Sequence, residues 1–243
     1  MPDRSTAPAP APPAPSSGVS LPLVVAIDGP SGSGKSSTAR GVAQRLGLAF
    51  LDTGAMYRAG TWLVLHSAVS AEDTDAVAAL IRAADIDVDL DPSAPGIRIN
   101  GIDVTEAIRE PVVSAAVSAI ATNLAVRADL VARQRAIIAS APVGIVAEGR
   151  DITTVVAPEA AVRVLLVADP TARVARRHAE LGTSVEVADV TDQVIRRDRD
   201  DSTVAQFHEA TDGVEVVDST HRSLEEVIDV IVDLAALPSV TAR

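Results

Sequence analysis

"IDGPSGSGKSS", residues Ile27 to Ser37, closes a short apolar run and then places three glycines within six positions. Gly29 and Gly34 enclose four residues and Lys35-Ser36 follow, which satisfies the pattern G-x-x-x-x-G-K-[ST]. Upstream, "LVVAID" (Leu23 to Asp28) reads as a strand buried on both faces. Downstream, "GKSSTARGVAQRLG" reads as a helix, with Val42 and Leu46 four apart on one face and Gly47 where a stop belongs. A strand, a glycine-rich turn and a helix N-terminus in that order make a phosphate cradle. Glycines let backbone N–H groups converge on phosphate oxygens, and the helix end adds positive potential. Lys35 is placed to bridge the β- and γ-phosphates and Ser36 to ligate Mg²⁺. The reaction class is phosphoryl transfer from, or hydrolysis of, a nucleoside triphosphate.

The alternation of strand and helix continues outward from this loop. "LAFLD", "VGIVAE", "VRVLLVA" and "GVEVVDS" read as strands. "TGAMYRAGTWLVLHS", opened by a capping Thr53, reads as a helix, as do "PTARVARRHAEL", "VTDQVIRRDRDD" and a final capped "SLEEVIDVIVDLAAL". This predicts an α/β fold, a parallel sheet with helices on both faces. Two segments break the rhythm. Ile86 to Ile108 carries short alternating pieces around Pro-Gly and Asn-Gly turns, which predicts a small antiparallel insertion at about 85–108. The following helical stretch is expected to break near Thr122-Asn123. Residues 1–20, rich in Pro, Ala and Ser, read as a disordered tail, and 21–243 as one domain.

With 33 Asp and Glu against 21 Lys and Arg, the net charge of -12 argues against nonspecific nucleic-acid binding or an anionic membrane surface. Any anionic ligand must then be gripped by local basic residues. The absence of cysteine excludes disulfides, zinc-thiolate sites and thiol catalysis. No apolar run approaches the ~20 residues of a spanning helix, and a cytoplasmic enzyme is expected. His66, His178, His208 and His221 show no ligand spacing. Asp28, beside the loop, has two open readings: it holds the loop through hydrogen bonds, or it orients metal-bound water.

No N-K-x-D guanine reader is visible, which favours a small-molecule kinase. Three further stretches speak to the acceptor. "LDTGAMYR" (Leu51 to Arg58) puts Thr53, Tyr57 and Arg58 where they face the loop across a cleft. "EGRDITTVV" (Glu148 to Val156) sets Arg150-Asp151 at the carboxyl end of a strand, where open α/β sheets bind ligands. "RRDRDDST" (Arg196 to Thr203) concentrates charge late in the chain.

These four motifs in this order resemble bacterial cytidylate kinases, the CMP kinases of the nucleoside monophosphate kinase superfamily, over nearly the whole chain beyond the tail. The resemblance implies a P-loop NTPase-type sheet, an insertion on the acceptor side, and a mobile lid at about 173–201. It implies transfer of the γ-phosphoryl of ATP to CMP or dCMP, less readily to UMP, with Mg²⁺, by a monomer. Residue by residue it implies that Gly29, Pro30, Ser31, Gly32, Ser33, Gly34, Lys35, Ser36 and Ser37 hold the ATP phosphates. Thr53 would line the nucleoside site with Tyr57 near it, Ser118, Arg127 and Asp151 would read cytosine, and Arg197 and Asp201 would touch the sugar. Arg58 and Arg150 would clamp the acceptor phosphate, with Arg176 and Arg177 on the lid. Two positions depart from the family: Val204 stands where an arginine is usual, predicting a slower enzyme, and Thr153 replaces a glycine, predicting a narrower site. These departures keep two other readings open: a P-loop kinase with a different acceptor, and a nucleotide-binding module with weakened transfer.

Overall fold

The computed structural model describes residues 22–181 and 187–237. The Pro/Ala-rich stretch 1–20 lies outside them. Strands β1 (Leu23–Asp28), β2 (Ala49–Asp52), β6 (Gly144–Gly149), β7 (Val162–Val167) and β8 (Glu215–Asp218) form one sheet in the order β2-β6-β1-β7-β8. Every pairing in it is parallel, the α/β sheet expected.

The strands alternate their side chains between two cores, as a pleated strand must. From β1, Val25 and Ile27 enter a core with Val42 and Ala43 of α1 (Lys35–Leu46) and Ile228 and Ile231 of α8 (Leu224–Ala236). Ala26 faces the opposite core with Met56 of α2 (Thr53–Leu65), Ile81 of α3 (Thr74–Ala83), Ile120 of α4 (Pro111–Ala121) and Leu130 of α5 (Leu124–Ser140). Helices thus cover both faces. β1 has β6 on one side and β7 on the other, so the carboxyl end of β1 opens onto the crevice where the strand order reverses. The phosphate cradle starts there.

Between α3 and α4, β3 (Ile86–Val88), β4 (Ile97–Ile99) and β5 (Ile102–Asp103) make a separate antiparallel sheet. Its tight turn is Asn100-Gly101, where φ is 51° and 78°, the left-handed pair that a two-residue hairpin requires. Asn123 caps α5 by accepting from Ala125 and Val126 N–H, which ends α4 at Ala121 and bends the pair by 100°. Helices α6 (Pro170–Leu181) and α7 (Val187–Asp201) pack on each other at the cradle's edge.

Three local features differ from expectation. Thr53 does not cap α2: Asp52, still in extended conformation, accepts from Ala55 N–H at 2.8 Å, and Thr53 is already helical. Helix α3, capped by Asp73, was not foreseen. Ile152–Val156 forms a single π-helical turn immediately after Arg150-Asp151. Among the described residues no single helix is long and apolar enough to cross a membrane.

Candidate active site

The cradle follows from its glycines. Gly32 and Gly34 adopt φ of 75° and 87°, which L side chains avoid, and a β-carbon on Gly32 would sit 2.6 Å from the Arg173 carbonyl. Gly34 also brings no capping side chain, and α1 has no acidic residue in its first turn. The N–H groups of its first turn, uncapped by a side chain, suit an anion. Lys35 Nζ lies 3.4 Å from the Pro30 carbonyl, folded back over its own loop.

Beside the cradle a cavity of about 400 Å³ opens. Ser31, Gly32 and Gly34 to Ser37 line one side, and Thr53, Tyr57, Arg58, Arg127, Arg150, Asp151 and Asp201 line the other. Three of its arginines are held by buried or half-buried carboxylates. Arg58 pairs with Asp52 at 2.7 Å, and Arg127 pairs with Asp151. Arg150 donates to the Gly29 carbonyl, reaches Asp201 at 3.0 Å and Asp198 at 3.5 Å, and lies over the Phe207 ring at 4.7 Å. Thr53 donates its hydroxyl to the Glu148 carbonyl at 2.7 Å, so it ties α2 to the end of β6 while facing the cavity.

The acids divide by surroundings. Burial pushes Glu148 up to about 7, with Asp52 repelling and Lys35 and the Ser36 hydroxyl, which donates at 2.6 Å, opposing. Burial also pulls on Asp52, but Arg58, the Ala55 N–H and Lys35 outweigh it and hold its carboxyl below the usual range. Asp151 is raised by burial, against the pull of Arg127. Burial lifts Tyr57 to about 12, so its hydroxyl stays protonated.

Glu148 therefore binds its proton more tightly in the folded chain than in the unfolded one. Its contribution to stability is full below its ordinary value of 4.5 and is lost as pH rises through about 7. In the ligand-free protein at pH 8, Glu148→Gln should raise the thermal midpoint by roughly 2–6 °C, and the two proteins should converge at pH 4.5. Calorimetry at both pH values decides it; a variant less stable at pH 8 refutes the assignment.

Several residues singled out in the sequence are placed elsewhere. Ser118 does not line the cavity; it borders a small side hollow with Arg177 and Arg196. Arg176 does not line the cavity but touches the cradle, donating to the Ser33 carbonyl at 3.4 Å, to the Ser219 hydroxyl at 2.9 Å and to the Ser219 carbonyl at 2.6 Å, whereas its neighbour Arg177 lines the cavity. Arg197 lies on α7, and its side chain is outside the described residues. Val204 lines the cavity wall. Thr153 does not narrow the site: it is buried away from the cavity with its hydroxyl on Asp28. Asp28 likewise faces the 152–153 backbone and not Ser36, which favours the loop-holding reading.

Sequence reasoning did not single out Asp52 and Glu148, although each sits inside a quoted motif, nor Arg40 and Arg109, which also line the cavity. It also missed the clasp on the cradle's apex. Asp198 accepts from the Ser31 N–H at 2.9 Å, while Arg173 donates to the Ser31 carbonyl at 3.0 Å and pairs with Asp198.

A glycine-rich anion cradle at a strand's carboxyl end, facing a pocket of arginines across 400 Å³, defines the class of P-loop phosphotransferases. Comparison with known proteins sharpens this. The cytidylate kinase family profile matches residues 25–237. The chain is 56% identical over 215 residues to a cytidylate kinase of Cutibacterium acnes, covering 88% of this chain and 96% of that one. It is 43% identical to a cytidylate kinase of Streptomyces avermitilis, covering 87% and 92%. It is also 45% identical to a bifunctional pantoate ligase/cytidylate kinase of Synechococcus, covering 87% of this chain and 44% of that one. The chain belongs to the cytidylate kinase family.

Proposed function

We propose that the protein transfers the γ-phosphoryl of ATP to CMP or dCMP, giving ADP and CDP or dCDP, as a cytoplasmic monomer of pyrimidine metabolism. The carrying observation is the cavity itself, with Ser31, Gly32 and Gly34 to Ser37 of the cradle on one wall and Arg58, Arg150 and the Arg127–Asp151 pair on the other. A carboxylate such as Asp151 accepts from the exocyclic amine that cytosine has and uracil lacks. Arg127 fixes that carboxylate in place.

An oxygen of the acceptor phosphate is the nucleophile, and it is anionic near pH 7, so no side chain must take a proton from it. Positioning and charge carry the reaction. Arg58 and Arg150 gather the acceptor phosphate, Lys35 and the α1 N-terminus gather the donor, and the two repelling groups are brought in line. The Ser36 hydroxyl and the Glu148 carboxylate, 2.6 Å apart below the cradle, are hard oxygen donors that suit Mg²⁺. When bound, Mg²⁺ supplies charge neutralisation on the transferring phosphates.

Val204 on the cavity wall supports a second reading, slow transfer through a weakened grip on phosphate. A coupled assay with ATP, Mg²⁺ and CMP, dCMP, UMP, AMP or shikimate separates the readings. Turnover is expected with CMP and dCMP and less with UMP. Turnover with AMP or shikimate and none with CMP sinks the proposal; ATP binding without transfer to any acceptor leaves the second reading standing.

A further inference from the structure

Asp28 is the last residue of β1 and directly precedes the cradle. It is buried, with 1% of its surface exposed, and it does not line the cavity. Its Oδ1 accepts from the Ile152 N–H at 2.8 Å. Its Oδ2 accepts from the Thr153 N–H at 2.8 Å and from the Thr153 hydroxyl at 2.6 Å. All three donors belong to the π-helical turn that follows Arg150-Asp151. The next residue, Gly29, accepts from Arg150 through its carbonyl. The root of the donor cradle is therefore bound twice to the segment that carries the acceptor site, once through a side chain and once through backbone.

Two of the three bonds to Asp28 come from backbone N–H groups that almost any residue supplies. The third needs a hydroxyl at 153. It is the shortest of the three, and it sits on the oxygen that one N–H already uses. It fixes the rotation of the carboxylate and the first residues of the turn together.

We propose that the Asp28 carboxylate and the Thr153 hydroxyl act as a positioning clamp, setting the span between the phosphate cradle and the Arg150-Asp151 turn and hence the alignment of donor and acceptor phosphates. The alignment rests on the phosphoryl-transfer reading above; the clamp itself rests on the hydrogen bonds. In-line transfer tolerates little misplacement, and a shift on the order of 1 Å lowers rate by ~10²-fold. A loosened clamp acts on kcat more than on either KM, because each substrate keeps its own contacts.

The clamp also has an acid-base signature. Burial raises Asp28 to about 6, opposed by the Thr153 hydroxyl and the two N–H groups, while Asp151 nearby raises it further. In the sheet its neighbours are Gly149 of β6 and Leu165 of β7, and the charged residues at the turn are Arg150 and Asp151. Removing a donor to the carboxylate disfavours the charged form and moves its titration upward.

The test compares Thr153→Val, which keeps shape and loses only the hydroxyl, with Thr153→Ser, which keeps the hydroxyl. Carbon-13 NMR of the Asp28 carboxyl in the free protein should titrate near 6 in wild type. It should titrate about one pH unit higher in the valine variant and return in the serine variant. At pH 7.5 the valine variant should show a kcat about 10-fold lower, with KM for ATP and CMP nearly unchanged and serine restoring the rate. The acid limb of kcat should move with the carboxyl. The acceptor phosphate titrates in the same range but identically in all three proteins, so only differences between them count. Wild-type kcat in the valine variant, with or without a moved midpoint, overturns the positioning role. No wild-type turnover on CMP sinks the kinase reading instead, and the clamp is then judged on the titration, where an unmoved midpoint overturns it.

Discussion

Lys35→Ala should lower kcat for CMP phosphorylation by about 10³-fold, the scale of losing one fixed charge or donor from a transition state. The thermal midpoint should stay within about 2 °C of wild type. The two halves of this expectation have separate causes. The ammonium lies 3.4 Å from the Pro30 carbonyl within its own loop and faces the Asp52 and Glu148 carboxylates, so the stability cost of its loss falls on those two acids. Its charge, however, stands beside the place where both phosphate groups must meet. Lys35 also lowers the protonation tendency of Asp52 and Glu148, so its removal raises both titrations slightly and makes the small stability change larger at pH 8 than at pH 5. A coupled assay of ADP release and calorimetry at the two pH values measure all of this. Retained turnover in a folded variant would remove the cradle assignment.

The fold was legible where local chemistry decides it. The stretch Leu23 to Ile27 is continuously apolar because β1 lies between two strands and two helical layers, which suits a short buried strand. Asn100-Gly101 announced its hairpin because few other residue pairs accept positive φ twice in succession. Helix α3 is equally local in its signals, with Asp73 as cap and Val77, Ala78 and Ile81 on one buried face. The π-helical turn is different in kind. Its first N–H groups point to Asp28, 124 and 125 residues earlier, so its shape depends on a partner that no local pattern names. The cap of α2 was ambiguous for a simpler reason: Asp52 and Thr53 are adjacent and both are good capping residues. The strand pairing of Asp52 with Glu148 decides between them.

The site was legible as a set of residues and not as a set of directions. Arg176 and Arg177 are neighbours on a helix, and successive side chains there diverge by roughly 100°. Only one can face the cavity; Arg177 does, and Arg176 packs on Ser219. Ser118 carries a suitable hydroxyl on α4, yet the residues of that helix that reach the cavity are Ser114, Val117 and Ala121. The carboxylate partners were hidden for a related reason. Asp52 for Arg58 lies six residues away, but Asp201 for Arg150 lies 51 away and Asp151 for Arg127 lies 24 away. Such pairs become visible only once the chain is folded.

Arg150 concentrates these long-range ties, and its replacement should produce the largest combined loss. Arg150→Ala takes a charged donor from the Gly29 carbonyl, a buried partner from Asp201, a second cation from Asp198 and the ring contact with Phe207. Breaking a buried pair leaves a carboxylate desolvated, a loss of about 3–5 kcal/mol for a fully isolated one. Asp198 keeps Arg173 and Asp201 keeps a further interaction, so about 2–4 kcal/mol is expected here, read as a lower urea midpoint. Loss of the same guanidinium from the acceptor side should lower kcat by at least ~10³-fold. Arg150→Lys separates the two effects. An ammonium retains the charge facing Asp201 and should recover about half of the stability, but it lacks the planar fork that reaches a carbonyl, two carboxylates and a phosphate at once. Its rate should therefore remain near that of the alanine variant. If lysine instead restored turnover to within a few-fold of wild type, the guanidinium would be serving as a charge alone, and its hold on Gly29 would not be what aligns the cradle with the acceptor.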